Sequence, residues 1–200
     1  MKKRDAEQAG PDQEALELRP PPDSDRSLAQ LAYMLSARFN RKGEFQDLQE
    51  SIRCYREVLE LRSAPDPFRS YSLNNLALAL ATRFHQEGEF EDLKESIQYS
   101  RGVLELRPPP DLARSQSLNN LGRALATQFD QKGDFEDLEE SIRCHRESFE
   151  LSPPSHPGWF LSLYDLANAL STRFEHKEEV EDLDESIRCH QEALEPKDPS

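Results

Sequence analysis

The chain has 200 residues, enough for a substantial core, and a formal net charge of −14, which repels phosphate backbones and leaves nucleic acid outside the expected partners. The longest uninterrupted apolar run, Leu76 to Ala81, is six residues, against the roughly twenty needed to cross a bilayer, so no membrane span is expected. Three cysteines, Cys54, Cys144 and Cys189, cannot all pair and no secretory segment follows Met1, so the chain reads as cytoplasmic, in an intracellular, reducing setting.

In chain order, residues 1–13 form a polar N-terminal tail. Glu14 to Asp23, EALELRPPPD, repeats the ending VLELRPPPD at Val103 to Asp111, so residues 14–25 read as the remnant of a truncated preceding repeat. Four units follow, at 26–68, 69–113, 114–158 and 159–200, the last with a short polar C-terminal tail. Arg69 to Ala113 and Arg114 to Gly158 match at 26 of 45 positions without a gap. Leu28, Leu73, Leu118 and Leu163 lie 45 apart, as do Phe39, Phe84, Phe129 and Phe174, and Ile52, Ile97, Ile142 and Ile187. A period of this length predicts stacked units that bury their apolar faces only against neighbours.

Within one unit, Leu73, Leu76, Ala77, Leu80 and Phe84 make a single helical stripe, and Leu93, Ser96, Ile97, Ser100, Val103 and Leu104 make a second. Gly43, Gly88 and Gly133 stand where the first helix must end in a left-handed cap. Glu178 takes that place in the fourth unit, which predicts a looser or differently built turn. Asp47, Asp92, Asp137 and Asp182 open the second helices, where a carboxylate supports the helix end and its dipole. Prolines at Pro20–Pro22, Pro108–Pro110 and Pro153–Pro154 stop them. No strand period appears, and the gaps are short, so each unit is an antiparallel helix pair and the whole an all-α solenoid.

The unit resembles the tetratricopeptide repeat, with its W-x2-L-G-x2-Y, A-x3-F and P blocks. Leu118, Leu121, Gly122 and Leu125 reproduce the first block with Leu for both aromatics; Ser51 and Tyr55 keep the second; Pro108 and Pro153 match the third. The 45-residue form, with SLNNL, a Gly, FEDLxESI and ELRPPPD, is similar to repeats of large fungal signalling proteins that also carry a caspase-like protease or a nucleotide-switch ATPase domain. The resemblance implies a right-handed superhelix. It also implies that first helices line a concave groove, placing Tyr33, Asn74, Leu78, Asn119, Arg123, Tyr164 and Asn168 on that face.

Catalytic and metal chemistry find little support. No G-x-x-x-x-G-K-[ST] loop occurs. Cys144-His145 and Cys189-His190 put a thiol beside a base, but helix neighbours point about 100° apart, and Tyr99 fills the equivalent cysteine position, which fits packing rather than a nucleophile. Ligand spacings for zinc are absent. The chain is therefore expected to be a non-enzymatic scaffold without a cofactor, holding a protein or peptide, basic by charge complementarity, in the groove. The alternative is an assembly module, or a fragment of a larger signalling protein, that stacks or self-associates through open ends. Leu183, Ile187 and Leu194 on the last helix, with no capping helix after Glu195 and Pro196, are the contacts for that alternative.

Overall fold

The computed structural model describes residues 24–62, 66, 68–109, 111–153 and 157–194; the tail at 1–13, most of the remnant at 14–25, Pro20–Pro22, Pro110, Pro154, Glu195 and Pro196 lie outside them. Among the described residues there are eight helices and no strand: α1 (Ser24–Lys42), α2 (Phe45–Leu61), α3 (Arg69–Glu87), α4 (Phe90–Leu106), α5 (Leu112–Lys132), α6 (Phe135–Leu151), α7 (Pro157–Lys177) and α8 (Val180–Leu194). None is long and apolar enough to cross a membrane. Each odd-numbered helix packs on the even one that follows, and each even one on the next odd, giving an all-α row of hairpins.

The two stripes legible in the sequence form this contact. Leu73, Leu76, Ala77, Leu80 and Phe84 are buried on α3, and Leu93, Ser96, Ile97, Ser100 and Val103 on α4, with Leu104 half-buried. The apolar clusters straddle the hairpins. One joins Leu48, Ile52 and Tyr55 to Leu76 and Leu80, the next joins Leu93 and Ile97 to Leu121 and Leu125, and the third joins Leu138 and Ile142 to Leu166 and Leu170. A hairpin alone would leave half of such a cluster wet, which is why the fold is a row.

Polar contacts repeat with the same period. Ser51, Ser96, Ser141 and Ser186 each donate a hydroxyl to a carbonyl of the preceding helix, at Ala32, Ala77, Gly122 and Ala167, over 2.8–2.9 Å. Small residues on both sides let the helices approach that closely. The aspartates at the start of the second helices are buried there, and each faces a partner nine residues back. Arg38 binds Asp47, Arg83 binds Asp92 and Arg173 binds Asp182, all in bidentate fashion, while Gln128 serves Asp137 more weakly. Their role in tying the hairpin shut goes beyond helix-end support. Consecutive even helices are bridged by Arg56–Glu95, Arg101–Glu140 and Arg146–Glu185 at 2.6–2.8 Å.

The turns hold one departure from the sequence reading. Gly43, Gly88 and Gly133 adopt φ of 72°, 75° and 72° and donate their amides to Phe39, Phe84 and Phe129 carbonyls at 2.7 Å. Glu178 does the same, at φ 56° and 2.8 Å from the Phe174 carbonyl, so the fourth turn is built like the others, neither looser nor different. The hairpin packing imposes the left-handed cap, and the side chain bears a steric cost of about 1–2 kcal/mol. Glu178→Gly is accordingly expected to raise stability by about 0.5–1 kcal/mol, the gain being reduced by the freer unfolded chain. A urea melt with an unchanged midpoint would show that the fourth cap is unstrained.

Candidate binding groove

First helices of neighbouring hairpins approach one another (α1 with α3, α3 with α5, α5 with α7), whereas the backbones of consecutive even helices stand apart. The row therefore curves with its odd helices on the inside. That inner face carries a cavity of about 420 Å³ over α3, α5 and α7, lined among others by Leu78, Thr82, Arg123, Thr127, Asp165 and Asn168. A second hollow, of about 240 Å³, continues it between α1 and α3 past Tyr33, Ser36 and Asn75.

Of the residues placed on this face by sequence, Tyr33, Leu78, Arg123 and Asn168 fall in one row, 45 apart, each exposed. Asn74, Asn119 and Tyr164 form a second row one turn earlier, with different fates. Asn74 accepts from Asn120 Nδ2 at 3.3 Å, a bond between adjacent hairpins. Tyr164 is exposed, stacks on Phe160 and meets His190 edge-on. Asn119 lies beneath the surface, 4 % exposed, and both ends of its amide are engaged: Nδ2 donates to Asp165 Oδ2 at 3.0 Å and Oδ1 sits 2.7 Å from His145 Nδ1. Asn119 is thus a positioning residue, holding Asp165 toward the groove.

This network fixes its own protons. The Asn119 amide nitrogen must face the carboxylate, so its oxygen must accept from His145, whose neutral ring carries the proton on Nδ1. Burial, with the nearby Arg123 charge adding to it, pushes the His145 pKa down to about 4. Burial raises the Asp165 carboxyl, opposed by the Asn119 bond and Arg123. Arg123 itself has no carboxylate within ion-pair distance among the described residues.

Asp165, Thr82, Thr127 and Thr172 escaped the sequence reading. The threonines repeat at 45, a signal that was available; Asp165 stands where Asn75 and Asn120 stand in earlier units, and only that substitution marked it. The cysteines are all free and buried, and burial pushes the Cys144 thiol up to about 12 and raises Cys54 and Cys189 as well, so none is a thiolate at neutral pH. At the far end Leu183 is half-buried, whereas Ile187 and Leu194 are exposed.

A row of antiparallel helix pairs with a polar inner groove defines a repeat protein of the solenoid class. Residues 26–66, 114–158 and 161–200, more than half of the chain, match the tetratricopeptide repeat family, and the chain belongs to that family. Among solved structures it is similar to a Podosopora anserina protein of nearly identical TPR-like repeats, in a crystal structure that gives TM-score 0.55 and 20% identity over 88% of this chain and 80% of that one. It is also similar to BtubC (BKLC) from P. vanneervenii, with TM-score 0.54 and 16% identity over 93% and 72% of the two chains. At these identities the likeness concerns the fold alone. No curated protein matches the sequence.

Proposed function

We propose that the chain is a protein-interaction scaffold whose concave groove binds an extended segment of another protein, with a Lys or Arg of that segment directed at Asp165. The family is one of interaction scaffolds in general. The observation that carries the finer reading is the desolvated Asp165 carboxylate, held in the groove by one amide with no basic side chain paired to it among the described residues. A half-buried acid with unused acceptor capacity gains from a cation delivered by a ligand. Arg123 beside it would take a carboxylate of the same segment, Asn168 and Asn120 would bond its backbone, and the net charge of −14 favours a basic sequence at long range. The unpaired, buried cysteines accord with a reducing, cytoplasmic setting.

The test is selection of binders from a random peptide library on the intact chain, followed by anisotropy titration. Selected peptides are expected to be enriched in Lys and Arg, and Asp165→Asn to weaken them about tenfold or more, equal to about 1.4 kcal/mol. The same substitution is expected to raise the melting temperature, because the carboxylate it removes is destabilised by burial. Peptides that bind the variant as tightly as the parent would sink the assignment of the groove.

A further inference from the structure

We infer that copies of this chain stack head to tail, the α8 face of one copy receiving the α1 face of the next. The same two faces mate three times inside the chain. Leu31 and Met34 on α1 are 47% and 54% exposed, whereas their equivalents in the later hairpins, from Leu76 and Ala79 to Leu166 and Ala169, are at most 5% exposed. On α8, Ile187 is 46% exposed, while Ile52, Ile97 and Ile142 are at most 4%. Each end thus presents the half of a junction that the other end lacks.

Charge sets the pairing and its direction. At the α6–α7 junction Glu139 accepts from Arg173 Nη1 at 2.5 Å and Lys177 Nζ at 2.7 Å. Advanced by the repeat of 45, the position of Glu139 is that of Asp184, exposed on α8; the positions of Arg173 and Lys177, taken back by three repeats, are those of Arg38 and Lys42, exposed on α1. Continuing the row by one unit therefore sets Asp184 against Arg38 and Lys42 of the next copy, in the register already built within the chain. The place of the bridging Arg56, Arg101 and Arg146 is taken on α8 by Gln191, whose amide can donate to Glu50 of the next copy, a weaker contact than the internal ones. Because the contact is heterologous, it does not close after two copies but propagates. The partner is a second copy of this chain rather than an unrelated protein, since the end faces share the internal register and are opposite in charge.

The experiment is sedimentation of the full chain across a wide concentration range, with Asp184→Lys, Lys42→Glu and their equimolar mixture. Both side chains are exposed and outside the Arg38–Asp47 clamp, so circular dichroism should stay unchanged. The parent is expected to gain mass continuously beyond a dimer, and to lose it as salt rises. Each variant alone is expected to remain monomeric at concentrations where the parent associates. The mixture should associate again, because the introduced lysine of one variant then meets the introduced glutamate of the other at one junction, while the native pair forms at the next. A parent that stays monomeric overturns the inference. So does a dimer that does not grow, or association indifferent to both charge reversals. Groove peptides should bind both variants as they bind the parent.

Discussion

Gly122→Ala is expected to destabilise the fold by about 3 kcal/mol, at the upper end of overpacking costs, and adding His145→Ser should return most of that loss. A Cβ on Gly122 would lie 2.6 Å from His145 Cε1 and 2.7 Å from Nε2, distances that force one group to move. Neither can move freely. His145 is buried and held at Nδ1 by Asn119, and the Gly122 carbonyl is fixed by Ser141 at 2.8 Å. The other hairpins carry alanine at this place, Ala32, Ala77 and Ala167, and each provides for it differently. Ser100 is short; Tyr55 is directed to Ser36 and Asn75; His190 turns out to meet Tyr164. Only the third hairpin, among the described residues, sets a buried imidazole directly on the helix it faces. Denaturant titration of both single variants and the double gives the coupling between them. A double variant whose loss is the sum of the two singles would show that the ring and the glycine do not meet.

That pair also marks the boundary of what one-dimensional pattern can reveal. The stripes from Leu73 to Phe84 and Leu93 to Leu104 were legible because helical burial repeats every three or four residues, and Gly43, Gly88 and Gly133 because a left-handed cap leaves few other choices. Asp47 and its equivalents were legible as helix-start acids, but their clamp partners were not. Arg38 and Arg83 lie nine residues away on another helix, where no local period connects them. Asn119 and Arg123 share a face in the sequence, yet one is buried and the other exposed, because His145 and Asp165 reach Asn119 from two different helices. Pairings set by the stacking of hairpins are visible only once the hairpins are stacked. Glu178 illustrates the converse: local preference argued against the cap, and the packing of the row overrode it at a cost of order 1 kcal/mol.

Acidification between roughly pH 6.5 and pH 4 is expected to remove about 3 kcal/mol of stability through His145, offset in part by Asp165, whose raised carboxyl takes up a proton first in the folded chain. In the folded chain the ring is pushed down to about 4, by burial first and by the Arg123 charge second, while in the unfolded chain it returns to about 6.5. Between those values the unfolded state binds a proton that the folded state refuses, so stability rises with pH there and is fully present above the unfolded pKa. The carboxylates held low by arginine or lysine, Asp25, Asp47 and Glu139 among them, act in a separate window. Their contribution is present above their unfolded values, near 4, and is lost only as pH falls below that. Protonating His145 would place a cation beside Arg123 with its Nδ1 on Asn119 Oδ1 and, among the described residues, no acceptor bonded to Nε2. The groove should fail with the fold, since Asn119 holds both His145 and Asp165. Urea midpoints measured from pH 7 down to pH 4.5 check the slope. His145→Gln, which keeps a donor for Asn119 but cannot titrate, is expected to flatten it, and a slope that survives the substitution would assign the acid sensitivity to some other group.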